Sequence, residues 1–296
     1  VIRLIVAATS CLALCATALA QDGEALRARH AALEAKLADN PFGRPLHVIS
    51  EDGTGAQKGE VYAVARYPHS VVAASLRKSQ AWCDILVLQV NVKRCEAIDP
   101  DGLSVFFTRR AEDPVDQAYR VDLAFDVVAT DQEYLRIALH GPEGPFDTRD
   151  YRLDVEATAL PGGTTFLHLS YSYAPGWIAR AGMRVYLAGS GRDKVGFSVV
   201  NRRPDGTPVF VEGVRAMIER NAMRYYVAVE AYLDALDAPP HERAERSLRN
   251  WYAAIERYPL QLREDVSLEQ YLRMKREQMA ALRAEPSDAA HAADDD

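Results

Sequence analysis

The sequence predicts an α+β fold in which an antiparallel sheet packs against one long C-terminal helix. Three observations carry this. The middle third alternates apolar and polar residues over segments of about 7 to 13 residues, separated by Asp, Gly and Pro turns such as GPEGP and LPGG. Period-two alternation turns one face of each strand inward, and strands spaced this evenly favour hairpins over βαβ units. After the turn RRPDGTP the period becomes helical from Val211 to Leu236, with Val214, Asn221, Tyr225, Tyr232 and Leu236 along one face. A helix of about 25 residues is near 37 Å long and can lie across a sheet. Finally, a shorter helical period after Pro68 separates the early strands from the later ones.

Taken in order, VIRLIVAATSCLALCATALA (1–20) reads as a secretory signal, with Arg3, an apolar run from Leu4 to about Leu14, and Ala18 and Ala20 ahead of Gln21. The run is short for a hydrocarbon layer of about 30 Å, and no second run of membrane length follows. The mature chain is therefore expected to begin near Gln21, to lack a transmembrane segment and to work in the periplasm. Residues 21–44 hold a surface helix with Leu26, Leu33 and Leu37 in a narrow apolar stripe. PLHVIS and Glu60 to Tyr67 read as strands, the second with Val61, Ala63 and Ala65 on one face and Tyr62, Val64 and Arg66 on the other. Ser70 caps an expected helix through Trp82, and Ile85 to Val92 is apolar and β-branched. Strands are then expected at Leu103 to Arg109, Ala118 to Thr130, Glu133 to His140, Arg149 to Leu160, Thr164 to Tyr173, Gly182 to Ser190 and Lys194 to Asn201. Tyr173 to Trp177 reads as a hairpin connection that leaves Trp177 and Ile178 exposed, suited to a transient contact with a membrane surface. Beyond a boundary near 240, residues 239–284 carry two helices, and the acidic tail 285–296 has nothing to bury.

Loss of the signal removes one of the 35 basic residues and leaves 42 acidic ones, a formal charge of −8. That sign argues against a nucleic-acid partner. Cys11 and Cys15 leave with the signal, so Cys83 and Cys95 remain as a candidate disulfide in an oxidising compartment, two reduced thiols being the alternative. No histidine or cysteine spacing suits a metal, and no phosphate-binding or nucleophile motif implies a cofactor.

The element order, the Ser70 to Ile85 segment with its Trp82, the strand GGTTFLHLSYSYAPG and the long Val211 to Leu236 helix together resemble the START-like, or helix-grip, superfamily over Gly59 to Ala238. This superfamily includes lipid-transfer START domains, bacterial polyketide cyclase-like proteins and plant hydrophobic-ligand binders. The resemblance implies a domain at 45–238 whose sheet grips the long helix and encloses a cavity for a small hydrophobic or amphiphilic, lipid-like ligand. Candidate wall residues are Trp82, Tyr119, Tyr134, His168, Tyr171, Asn221, Tyr225 and Tyr232, aromatic rings for contact area and polar tips for orientation, with Tyr151 and Tyr226 as further aromatic candidates. On the strand from Thr164, Phe166, His168, Ser170 and Ser172 share one face, and Leu167, Leu169, Tyr171 and Tyr173 share the other. Arg215, Glu219, Arg220 and Arg224 read as a solvated helix face. Two alternatives to a binding protein stay open: a cyclase or aldol-type enzyme using His168 with Tyr171 or Tyr134, and an envelope interaction module with a filled core.

Overall fold

The computed structural model describes residues 22–53, 55–98, 102–189 and 191–284; the expected signal and acidic tail lie outside them. The period-two segments pair into one eight-stranded antiparallel sheet, in the order β1-β2-β8-β7-β6-β5-β4-β3. Its strands are β1 (Leu46–Asp52), β2 (Gln57–Ala65), β3 (Val92–Ile98), β4 (Gly102–Phe107), β5 (Tyr119–Thr130), β6 (Tyr134–Gly144), β7 (Thr148–Leu160) and β8 (Thr164–Pro175). Six of them, β3 to β8, follow each other as hairpins, which short Gly, Pro and Asp turns allow. The long helix α5 (Gly213–Leu233) lies on one face of the sheet, so the protein has the expected α+β helix-grip architecture.

The register of β8 decides which of its faces is inward. Leu167, Leu169 and Tyr171 pair with Ala63, Val61 and Gly59 of β2, and Gly59 faces α5. A Cβ at Gly59 would come within 2.8 Å of the Ile218 carbonyl oxygen and 3.1 Å of the Ala222 Cβ. The helix backbone therefore sits directly on β2. The His168 set points to the opposite face, where helix α1 (22–38) covers it. Leu26, Leu33 and Leu37 of α1 pack there with Tyr62, Ala129, Tyr134 and Phe166 in a second, separate core.

Four expectations change. The helix expected through Trp82 is two helices, α2 (His69–Leu76) and α3 (Ser79–Leu86), broken where Lys78 is extended at φ −115° and ψ 132°. The β-branched run after Ile85 finishes α3 and turns, so β3 starts only at Val92. The segment around Gly182 is not a strand but helix α4 (Trp177–Ala188), and the next strand is the short β9 (Val199–Arg202), paired with β10 (Pro208–Phe210). Met183, Tyr186 and Leu187, at helical spacing, are the partly buried side of α4, and Asp147 of the β6–β7 turn accepts the Ile178 N–H at 3.0 Å, capping it.

Two more helices, α6 (Arg243–Glu256) and α7 (Leu268–Ala284), follow the sheet, and α6 packs on α5; the expected solvated face of α5 is largely buried, Arg220 reaching the Val195 carbonyl and the Tyr186 hydroxyl of α4. Glu219 is 0% and Arg220 3% exposed. The Glu219 carboxylate accepts from the Ser50 and Ser198 hydroxyls at 2.6 and 2.7 Å and from the Phe197 and Ser198 N–H groups at 2.6 and 2.8 Å. Four donors compensate the burial of one carboxylate.

Cys83 of α3 and Cys95 of β3 form a disulfide. It closes a loop over a sequence separation of 12, for which loop-closure entropy gives about 3 kcal/mol. The Cys83→Ser, Cys95→Ser double variant is expected to lose that amount in urea denaturation. Reducing agent should weaken the wild type equally and leave the double variant unchanged; equal sensitivity of both would contradict this.

Candidate functional site

Seating α5 on Gly59 at one side of the sheet leaves a wedge between the helix and strands β3 to β5 on the other. A partly enclosed cavity of about 200 Å³ fills that wedge. Its apolar wall is Leu86, Val105, Phe107, Val121 and Leu123. Facing it are Tyr151 of β7, Tyr171 of β8, and Asn221, Arg224 and Tyr225 of α5. The Tyr171 and Tyr225 ring centroids are 4.9 Å apart, and Tyr151 stacks on Tyr173 at 5.6 Å. The remaining wall is the turn after α3, with Gln89 and Asn91. That turn is held from behind by α7: the Tyr271 hydroxyl donates to the Leu88 carbonyl at 2.7 Å, and the Lys275 ammonium to those of Gln89 and Val92 at 2.6 Å each. Burial, with Lys93 nearby, pushes the Lys275 ammonium well below its ordinary value.

The polar groups of this wall are tyrosine hydroxyls, side-chain amides and one guanidinium. Burial raises the Tyr171 and Tyr151 hydroxyls and pushes Tyr225 up to about 12, so all three stay neutral donors near pH 7. Arg224 is paired with Glu264 at 3.0 Å, and the Gln89 amide donates to the Arg224 carbonyl at 3.0 Å. Asn221 differs: its amide has no hydrogen-bond partner among the described residues and faces the cavity. Among the described residues the wall holds no Asp, Glu, His, Lys or Cys, so no group there accepts a proton near neutrality.

Of the eight expected wall residues, the structure brings Tyr171, Asn221 and Tyr225 together here and puts the other five elsewhere. Trp82 is fully buried in the main core, donating to the Leu76 carbonyl at 2.8 Å. Tyr119 stands 43% exposed at the start of β5, against Phe146. Tyr232 lines a different cleft, between α3, α5, α6 and α7. Tyr134 and His168 lie under α1, on the other side of the sheet. Of the two further aromatic candidates, Tyr151 is on this wall, sharing the inward face of β7 with Leu153 and Val155, whereas Tyr226 is buried beside Glu230.

His168 does have carboxylate partners, two of them. Its Nδ1 is 2.8 Å from Glu156 Oε2 and its Nε2 2.9 Å from Glu60 Oε1, with the Tyr62 ring stacked on it at 4.4 Å. The Tyr134 hydroxyl donates to Glu156 at 2.6 Å, and Lys58 bonds Glu60 at 2.9 Å. Burial alone would lower His168, but the bonds to Glu156 and Glu60 outweigh it and raise its pKa above the ordinary value. Burial likewise opposes ionisation of Glu60, yet His168 and Lys58 hold it at about 2. With both ring nitrogens held by carboxylates on the face under α1, His168 is not placed to reach a ligand on the far side of the sheet.

No protein-family model matches the chain, and no curated protein matches it in sequence. Among solved structures it is similar to a START superfamily protein from Mycobacterium smegmatis, at 12% identity over 45% of this chain and 87% of that one, with a TM-score of 0.34. It is similar also to the Zhui aromatase/cyclase of a Streptomyces species, at 14% identity over 68% and 96% with a TM-score of 0.37. Norcoclaurine synthase from Thalictrum flavum aligns at 11% identity over 47% and 85%, TM-score 0.33. Likenesses this distant say nothing of substrate or activity; the fold assignment rests on the sheet order and on the helix it carries. No described helix is long and apolar enough to cross a membrane, and no group of described side chains is suited to a metal ion.

Proposed function

We propose that this is an exported binding protein that holds or carries a small amphiphile in the cavity between α5 and strands β3 to β5. The unpartnered Asn221 amide beside the Tyr171 and Tyr225 rings, facing the apolar wall of Leu86, Val105, Phe107, Val121 and Leu123, carries this reading. A partly enclosed space with one apolar wall favours amphiphilic over fully polar molecules, and an unpartnered polar group beside it remains unsatisfied until a ligand or water bonds it. A cavity of about 150 Å³ accepts benzene, so about 200 Å³ fits one substituted aromatic ring or a short acyl segment of a lipid-like molecule. Residues 45–238 form the binding unit in this proposal, 21–44 brace the far face of the sheet, and 239–284 fix the cavity rim through α7. Residues 1–20 direct export, and the disulfide suits the periplasm.

Two probes of ring size test this, 4-ethylphenol and ethylbenzene, titrated by saturation-transfer NMR. Both should bind the wild type. Asn221→Leu removes a hydrogen bond and should weaken 4-ethylphenol about tenfold while sparing ethylbenzene. Leu123→Trp fills the space and should abolish both. Unchanged binding in Leu123→Trp would place the ligand outside this cavity and overturn the proposal.

A further inference from the structure

Helix α4 is built in a way that burial in this chain does not explain. None of its residues is buried. Successive residues turn by 100°, so Trp177, Ile178, Ala181, Val185 and Ala188 fall within one arc of about 100°, while Met183, Tyr186 and Leu187 occupy the arc that touches the protein. The outward arc is thus the more apolar one: Trp177 is 77%, Val185 75% and Ile178 49% exposed, and Ala181 and Ala188 are exposed too. A surface helix of ordinary design presents charge there instead.

The charges that α4 does carry are of one sign. Arg180 and Arg184 lie along one edge of the apolar arc, and the helix has no acidic residue. Arg192 and Lys194 follow within a turn, against Asp193 alone, in a chain whose formal charge is −7. The helix is also firmly placed. Gly176 leaves room that a Cβ would take from the Asp147 carboxylate, 2.1 Å away, and Asp147 holds a left-handed φ of 63° while capping Ile178. A non-glycine residue in that region is strained, so the cap fixes the helix at the end of β8 with its apolar side outward.

We propose that α4 is an interfacial helix that docks the protein on an anionic phospholipid surface, Trp177, Ile178 and Val185 entering the headgroup boundary and the arginines meeting lipid phosphates. An apolar arc with tryptophan at one end and arginine along one edge is the pattern of helices that lie in that interface. Charge selects this occupant over a second copy of the chain. A two-fold symmetric contact through α4 would set Arg180 and Arg184 of one protomer against the same residues of the other. The inference rests on α4 alone and does not depend on what the cavity holds.

Trp177 supplies a readout specific to this surface, because the chain has three tryptophans and the other two, Trp82 and Trp251, are 0% exposed. The full chain is titrated with vesicles of phosphatidylglycerol and phosphatidylethanolamine, and with phosphatidylcholine alone, while emission and iodide quenching are followed. With the anionic vesicles we expect a blue shift and at least a threefold fall in the quenching constant, both reduced at high salt. The Arg180→Glu, Arg184→Glu variant should need at least tenfold more lipid, and Val185→Asp likewise, with far-UV circular dichroism showing each variant folded. Three results would overturn the proposal. One is sedimentation with vesicles while Trp177 stays fully quenchable, which would locate attachment elsewhere, residues 1–20 included. The second is protection of Trp177 by raised protein concentration without lipid, which would make the face a self-contact. The third is protection by a protein partner with no response to vesicles.

Discussion

His168→Leu is expected to destabilise the protein by about 3 kcal/mol near pH 6, measured by urea denaturation. The substitution keeps an apolar side chain under α1 but removes the positive partner of Glu60 and Glu156, whose side chains are 9% and 25% exposed. Removing one member of a buried ion pair costs about 3 to 5 kcal/mol, because the other charge remains; the partial exposure of Glu156 puts this case at the lower end. The pH dependence has a definite sign. His168 is raised in the folded state, so its contribution is complete below the unfolded value of about 6.5 and disappears as pH rises through the higher folded value. Glu60 is depressed to about 2, so its contribution is complete above about 4.5 and disappears as pH falls toward that folded value. Wild-type stability should therefore decline as pH rises past the unfolded value, and His168→Leu should lack that decline. Equal slopes there in the two proteins would show that His168 is not held as an imidazolium.

Glu219→Ala should cost about 4 kcal/mol, since two hydroxyls and two backbone N–H groups lose their acceptor in a site closed to water and unsatisfied buried donors cost about 1 to 3 kcal/mol each. The hydroxyls can turn toward other acceptors, such as the Val48 carbonyl that Ser198 already reaches at 2.9 Å, so the full sum is not expected. The backbone groups of Phe197 and Ser198 cannot turn. Glu219→Gln keeps one acceptor oxygen and should lose less than half as much. A loss under 1 kcal/mol for Glu219→Ala, measured by urea denaturation, would mean that water replaces the carboxylate. Because Glu219 joins β1, the 196–198 segment and the first half of α5, the loss should also raise hydrogen exchange along α5 near Asn221.

The sheet was legible because hairpins leave a local trace: period-two alternation between Gly, Pro and Asp turns needs no long-range information. The helix α5 was legible for the same reason, its period running over six turns. The pairing of Cys83 with Cys95 followed from compartment and number. What the residues could not reveal is which face of a strand looks inward when both carry apolar and polar groups. On β8, Phe166 and His168 compete with Leu167 and Tyr171, and the choice was made by Gly59, about 110 positions away, where only a residue without a Cβ lets α5 approach. Glu60, Glu156 and His168 meet through the register of three strands, and no spacing along the chain announces that. The solvated reading of Glu219 and Arg220 failed because β1, the 195–198 segment and Tyr186 of α4 cover them; charge predicts exposure only until the chain provides partners. Helix α4 was taken for strand because Gly182 interrupts its pattern, although Met183, Tyr186 and Leu187 already showed the helical spacing.

The central claim is that the space between α5 and strands β3 to β5 is occupied by a small amphiphile, and native mass spectrometry of the protein purified from its own host addresses it most directly. We expect a one-to-one adduct that organic solvent releases, of a mass that about 200 Å³ can hold, and that is missing from Leu123→Trp prepared in the same way. A bare protein mass that stays bare after incubation with host lipid extract would contradict the account and leave the fold as a filled interaction module.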